Sequence, residues 1–261
     1  MDLGLKGKVA LVTGAGSQTG FGKGIALTLA KEGCDVIVID KDFDGAKKTV
    51  AEIEASGSAA MALQADVTKS AEVNSAVKKA LAKFGRIDIL VNNAGASSPP
   101  KPFIEKTEAE WEPDIDINLR SVFICTKAVL PQMIERKSGK IINISSGVGT
   151  MGLANSSIYS AAKAGVMAFT KALAKEVIGK GINVNSVSPG LGDTGFLRSS
   201  KVLKTAETPP EFIKHVSMDI PVGRMTTPQD IGNMVAFLAS DVSSDIVGQI
   251  FDVDGGKIIK F

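Results

Sequence analysis

Residues 9–22 read VALVTGAGSQTGFG, so a run of small and β-branched apolar residues, Val9 to Val12, passes straight into a turn holding Gly14, Gly16, Gly20 and Gly22. A helix-like stretch follows, Gly22 to Glu32, with Ile25, Leu27 and Leu29 set among alanines. Strand, glycine turn and helix in that order open a βαβ unit. Glycines at such a turn let backbone N–H groups approach a pyrophosphate at the positive end of the helix, and they also serve ordinary tight turns and close helix packing. Placement directly after the first strand favours the phosphate role, with Gly14, Ser17, Gly20, Phe21 and Gly22 as the residues that line it.

The same rhythm continues outward. Short apolar runs recur at Met61 to Leu63, Val36 to Ile39, Ile87 to Val91, Ile141 to Ile144, Ile182 to Val187 and Ile250 to Val253. Buried parallel strands read as continuous apolar runs because helices cover both faces. Between them, Ser70 to Phe84 spaces Val73, Val77, Leu81 and Phe84 at three and four, a core-facing helical stripe. The expectation is an α/β Rossmann fold: one domain over 1–261, with a doubly wound seven-stranded parallel sheet and helices on both faces. Residues 191–227 hold Pro209, Pro210 and Pro221 with weak periodicity, and read as an irregular flap able to close over a substrate.

Charge narrows the partners. Lys and Arg total 30 against 28 Asp and Glu, a net +2 that gives no electrostatic reason to expect nucleic acid. No apolar stretch approaches the roughly 20 residues of a membrane span, and no signal-peptide pattern opens the chain, so a cytoplasmic location is expected. Cys34 and Cys125 form no metal-binding or disulfide pattern and read as packed apolar residues. No metal is expected, and the single histidine, His215, falls in the flap, which leaves a Ser-His-Asp arrangement without support.

Two ends of the presumed sheet carry chemistry. The second strand ends in Asp40, whose carboxylate can accept from ribose hydroxyls and repel a 2′-phosphate; as a plain alternative it is a solvated turn aspartate, and Lys41 beside it softens the repulsion. Asp66, ending the third strand, either meets an adenine or serves its loop. Tyr159 and Lys163 stand four apart in an alanine-rich stretch, so both share one helix face. A lysine beside a phenol favours the phenolate, lowering a pKa ordinarily near about 10 toward the working range of a general base. Such a pair also occurs on ordinary solvated faces, but Tyr159 is the only tyrosine in the chain. Ser146 follows the strand Ile141 to Ile144 and can donate to a substrate oxygen; on position alone Ser145 would serve equally well.

Taken together, the glycine turn, Asp40, Asp66-Val67, Asn92-Asn93-Ala94-Gly95, Asn118, Ser146, Tyr159-x-x-x-Lys163, Ser188-Pro189-Gly190 with Thr194, and Val253-Asp254-Gly255-Gly256 resemble the short-chain dehydrogenase/reductase family across nearly the whole chain. The thirteen-residue interval from Ser146 to Tyr159 is similar to the family's and selects Ser146 over Ser145. The resemblance implies that Tyr159 exchanges a proton with the substrate oxygen, Ser146 holds that oxygen, and Lys163 binds the nicotinamide ribose and lowers the Tyr159 pKa. It implies a relay water on Asn118, a strand-steadying and cofactor-bordering Asn92, and a carboxamide contact from Thr194. It implies further cofactor contacts from Val67, Ala94, Gly95, Pro189 and Gly190.

Two departures stand out. Gly14 and Gly20 are separated by five residues where the common family form has three, and Gly192 stands where many relatives carry an apolar residue against the nicotinamide. The reading is an NAD(H)-dependent oxidoreductase of secondary alcohols and ketones, with NADP(H) not excluded, a small-molecule substrate and homotetrameric assembly through the helices Leu119 to Arg136 and Tyr159 to Ile178. The substrate pocket is expected to draw on Ser97, Ser98, Leu153 and the Leu191 to Met218 part of the flap. The alternatives are a 3-oxoacyl-carrier-protein reductase, which the stretch Ser146-Gly147-Val148-Gly149-Thr150-Met151-Gly152 resembles and which usually favours NADPH, and a non-catalytic NAD-binding protein on the same scaffold.

Overall fold

The computed structural model describes residues 2–195 and 209–258. Each expected apolar run is a strand: β1 (Val9–Thr13), β2 (Asp35–Asp40), β3 (Ala60–Gln64), β4 (Ile89–Asn92), β5 (Gly139–Ile144), β6 (Ile182–Pro189) and β7 (Ile250–Val253). The order across the sheet is β3-β2-β1-β4-β5-β6-β7, and every pairing is parallel. The chain therefore winds outward from β1 in one direction, then crosses to β4 and winds in the other. At that crossover the loops after β1 and β4 diverge and leave a crevice, which is where an open α/β sheet binds ligands.

Side chains alternate across β1 and split the core in two. Ala10 and Val12 face one side, where α1 (Phe21–Lys31), α2 (Phe43–Ala55) and α7 (Pro228–Ala239) bring Ile25, Leu29, Ile53, Val235 and Leu238. Val9 and Leu11 face the other, against Val73 and Val77 of α3 (Ser70–Phe84), Val129 and Met133 of α4 (Ser121–Arg136), and Leu173 and Val177 of α5 (Ser157–Val177). Cys34 and Cys125 are buried and free, as apolar packing requires. At the floor of the sheet Asp88 accepts from the Val9 amide at 2.9 Å and pairs with Arg86 at 3.0 Å and with Arg136.

The flap expectation needs correction where it is described. Residues 196–208 lie outside the described residues; of the rest, 191–194 and 219–227 are irregular as expected, but Pro210–Met218 is a helix, α6. Pro210 sits at its first turn, where a missing N–H costs nothing, and Phe212, Ile213 and Val216 turn one stripe onto Ile220 and Met225. The periodicity is real but only three residues deep. His215 is exposed on this helix.

Candidate active site

The site is built on the crossover between β1 and β4. Thr13 ends β1, and its hydroxyl accepts from the amides of Asn93 at 3.0 Å and Ala94 at 3.1 Å. Asn93 returns the clamp, its side-chain amide donating to the carbonyls of Thr13 (2.9 Å) and Gly14 (3.0 Å). Gly14 adopts φ +69°, and a Cβ there would lie 2.7 Å from Ala94 Cα; one on Gly22 would lie 2.3 Å from the Gly14 carbonyl oxygen. Only glycine lets α1 begin this close to the turn. Gly20 caps α1 without a side chain, and no side chain among the described residues caps the amides of its first turn.

The longer glycine turn is anchored at its base. Gln18 donates to the carbonyls of Gly16 (2.8 Å) and Gly45 (3.1 Å) and accepts from Lys23 at 3.0 Å, while Thr49 donates to the Ala15 carbonyl at 2.8 Å. The two additional residues thus lean on the start of α2, and Ser17, Gln18 and Thr19 are exposed above it. Asp40 shares in this anchoring, which the sequence did not suggest. Its carboxylate accepts from the Gly16 amide at 2.7 Å and the Asp42 amide at 2.9 Å while standing half-buried at the rim.

Asp66 is a loop organiser, accepting from the Thr68 amide (2.9 Å) and hydroxyl (2.7 Å) at the start of α3. Burial works against its charge, but these bonds and Lys69 and Lys41 hold its carboxyl below the usual range. Val67 turns its side chain into the core. Asn92 is buried and donates to Thr126 (3.1 Å) and Asn143 (2.8 Å), and Asn143 donates in turn to Thr170 at 2.9 Å, a polar line from β4 through β5 to α5.

Tyr159 and Lys163 do share a face of α5, and both are buried, with 8% and 4% exposure. The Lys163 ammonium donates to the Ile144 carbonyl at 3.0 Å and lies 5.9 Å from the centre of the Tyr159 ring. The two serines separate cleanly. Ser145 is buried, its hydroxyl donating to the Val187 carbonyl at 3.2 Å and bonded to the Ser186 hydroxyl at 2.9 Å. Ser146 lies on the Tyr159 side, close enough for its hydroxyl to favour the ionised phenol. Asn118 sits on a π-turn, Asp116–Arg120, between a short helical turn and α4. Wide turns of this kind recur at functional sites. Its side chain donates to the carbonyls of Ala96 (2.6 Å) and Asp114 (2.9 Å) and accepts from the Ala96 amide at 3.3 Å. A Cβ on Gly95 would stand 2.9 Å from Asn118 Oδ1 and 3.3 Å from Lys163 Nζ, so glycine keeps that floor open.

In the protein without nucleotide, burial dominates the pair. It pushes the Tyr159 phenol up to about 12; the Ser146 hydroxyl opposes this and the Asp114 carboxylate adds to it. Burial also lowers Lys163 to about 8. In so dry a pocket each group disfavours its charged form, and the protein alone keeps the phenol protonated.

On the far side, Pro189 ends β6, and its carbonyl accepts from the Gly147 amide at 3.2 Å. The Gly190 amide donates to Val253 at 3.0 Å, and a Cβ on Gly190 would lie 2.7 Å from Asp254 Cα. Thr194 is buried, its amide donating to the Gly192 carbonyl at 2.9 Å. Sequence reasoning passed over Thr13, Asn93, Gln18 and Asp114. The Asn92-Asn93 doublet was a usable signal for the second; the others act through space. Away from all of these, a polar cavity of about 250 Å³ opens between Lys8, Lys140, Asn183 and Asp241 at the opposite end of the strands. Among the described residues no helix is long and apolar enough to cross a membrane.

The family model described as Enoyl-(Acyl carrier protein) reductase matches residues 14–257. Among curated relatives, a 3-oxoacyl-[acyl-carrier-protein] reductase of Synechocystis sp. is 43% identical over 257 residues, covering 98% of each chain. Another of the same description, from Thermotoga maritima, is 38% identical over 256 residues, covering 98% of this chain and 99% of its own. Among solved structures, a Brucella melitensis 3-ketoacyl-(acyl-carrier-protein) reductase complexed with NADH superposes with a TM-score of 0.89 at 38% identity, covering 98% of this chain and 100% of its own. An actinorhodin polyketide ketoreductase with NADPH gives 0.88 at 34% identity, covering 96% and 97%. With likeness of this extent in both sequence and fold, the chain belongs to the short-chain dehydrogenase/reductase family, oxidoreductases that interconvert CH–OH and ketone groups with a nicotinamide cofactor.

Proposed function

We propose that this chain is a ketoreductase in which Tyr159 gives a proton to, or takes it from, the substrate oxygen, with NAD(H) as the preferred cofactor. The observation that carries the reading is the buried Tyr159–Lys163 pair on one face of α5, with Ser146 beside the phenol at the carboxyl end of the sheet. The glycine-lined turn and the uncapped start of α1 fit a pyrophosphate, and Asp40 at the end of β2 fits ribose hydroxyls. A bound nicotinamide supplies or accepts the hydride. The chain's own residues do the rest: Ser146 donates to the carbonyl oxygen and orients it, Tyr159 delivers its proton, and Lys163 lies beneath to hold a ribose hydroxyl and offset the charge left on the phenolate. Asn118, held on its π-turn, is placed to anchor a relay water. A phenol kept protonated by its pocket suits the reducing direction. Asn92, Ala94, Gly95, Pro189, Gly190 and Thr194 form the remaining cofactor wall in this reading, and the described parts of the flap, 191–195 and 209–227, contribute to the cover.

The substrate is a ketone with apolar character. Met151, Leu153 and Leu191 follow β5 and β6 at this end of the sheet and are 56%, 50% and 37% exposed. The relatives' descriptions favour a 3-oxoacyl thioester on a carrier protein as the particular ketone. Homotetramer formation draws on α4 and α5, where Phe123 stays 40% exposed and packs on Phe169 with ring centres 4.7 Å apart.

The test is to follow reduced-nicotinamide absorbance with 3-oxoacyl thioesters and a panel of simple ketones and secondary alcohols, supplying NAD(H) and NADP(H) separately. Turnover lost in Tyr159→Phe supports the mechanism, and the better cofactor decides the Asp40 reading. Nucleotide binding without turnover on any substrate points instead to the non-catalytic alternative.

A further inference from the structure

Asp114 is a buried carboxylate on a turn that packs against α5, the helix carrying Tyr159, and nothing in the chemistry above uses it. It lies in the short helical turn Glu112–Ile115 that leads into the π-turn, with 3% exposure. One oxygen accepts from the Ser98 amide at 2.8 Å, and its backbone carbonyl accepts from Asn118 at 2.9 Å. No Lys or Arg among the described residues lies within ion-pair distance of it. The neighbouring charges are already taken: Asp116 pairs with Arg120 at 2.7 Å, Arg120 reaches Glu112 at 3.8 Å, Lys101 pairs with Glu110 at 2.9 Å, and Lys163 donates to Ile144. Of the titratable groups on α5, Tyr159 and Lys163 are buried, while Lys171, Lys175 and Glu176 are exposed to solvent farther along the helix. A charge buried without a countercharge is costly and rarely retained without a task.

We propose that Asp114 is a positioning residue of the Tyr159 site: its carboxylate fixes the Ser97–Ser98 wall of the substrate pocket and, bearing on the phenol from that wall, holds Tyr159 in its proton-carrying state. A phenolate close to a carboxylate is disfavoured by like-charge repulsion, whereas the neutral phenol is not. The two effects are linked in one side chain, since the oxygen that holds Ser98 belongs to the group whose charge acts on Tyr159. The chain is thereby biased toward carrying a proton to a carbonyl. The inference rests on Tyr159 as the acid/base of the proposed function.

Tyr159 is the only tyrosine, so the rise of tyrosinate absorbance on alkaline titration reports this residue alone, with Tyr159→Phe as the blank and with no substrate or nucleotide needed. Asp114→Asn keeps an acceptor for Ser98 and removes the charge; Asp114→Ser is the second variant should the first not fold, circular dichroism being recorded on each sample. The expected result is a midpoint lower than wild type by about half a unit to one unit. In ketone reduction the rate should fall off at correspondingly lower pH in Asp114→Asn. A midpoint within about 0.2 unit of wild type in a folded variant overturns the proposal, even if KM or thermal stability changes, because those would move for a purely structural side chain. Failure of the proposed function is seen separately, as absence of turnover in a chain whose midpoint still shifts.

Discussion

Phe21 stands in the space that a side chain at position 192 would fill. A Cβ on Gly192 would lie 2.5 Å from Phe21 Cζ and 2.9 Å from the Thr226 carbonyl oxygen. The glycine therefore answers the large ring that follows Gly20, and the two positions make one packing decision between the phosphate turn and the segment that carries Thr194. Gly192→Val should lower stability by about 1–3 kcal/mol through overpacking and weaken nucleotide binding. Phe21→Ala in the same chain should restore a good part of both. Thermal melts with and without nucleotide on the single and double variants check this; no rescue in the double variant would sink the pairing.

Lys163 should work against stability at neutral pH. Its folded-state value of about 8 lies below the roughly 10.4 of an exposed lysine. Between these values the unfolded chain binds a proton that the folded chain has released, so the Lys163 contribution to stability rises with pH through that window, and below about 8 the full cost of a buried charge remains. Lys163→Met, which loses the bond to Ile144 as well, should still gain about 1 kcal/mol at pH 7 while turnover collapses. Denaturant melts at pH 7 decide it: a variant less stable than wild type means that the ammonium is better solvated than its burial implies.

Asp40→Ser should raise kcat/KM with NADP(H) relative to NAD(H) by about tenfold or more, since the repelling charge goes. The same change orphans the Gly16 and Asp42 amides, so KM for NAD(H) should rise too. Steady-state kinetics with both cofactors separate the two effects. An unchanged cofactor ratio would show that Asp40 acts only as the anchor of its turn.

The serine pair should part company under mutation. Ser146→Ala should lose about 10²-fold or more in kcat with its melting temperature intact. Ser145→Ala should keep most of its turnover and lose about 1 kcal/mol, because its hydroxyl serves β6 alone. The reverse pattern would move the substrate to the wrong side of β5.

The strands and the Tyr159–Lys163 pair were legible because their signals are local. A strand covered on both faces must be apolar throughout, so β1 through β7 stand out as runs, and a four-residue interval on a helix puts Tyr159 above Lys163 whatever the rest of the fold does. What the residues hid is made of contacts between distant segments. Asp114 reads as one acid among several in Glu112 to Asp116 until the turn buries it. Asn118, singled out only by the family resemblance, reads from its own neighbours as a plain helical asparagine until the helix widens around it. The direction of the Tyr159 shift depends on how dry the pocket is, which sequence spacing does not report. The stripe of α6 was missed because Pro209 and Pro210 look like loop residues when they in fact begin a helix.

Adjacent serines with opposite duties make the alignment of β5 on β6 part of the chemistry. Ile144 lies opposite Val187, and the Ser145 amide reaches the Val187 carbonyl at 2.8 Å. Since neighbouring side chains leave a strand in opposite directions, a slip of one residue would turn the hydroxyl proposed to hold the substrate into the protein interior and present its neighbour to the tyrosine. Under the proposed function, turnover is thus an assay of hydrogen-bond register in the sheet, and a one-residue slip of β5 against β6 would silence the chain while leaving its composition, its helices and every side chain on α5 in place.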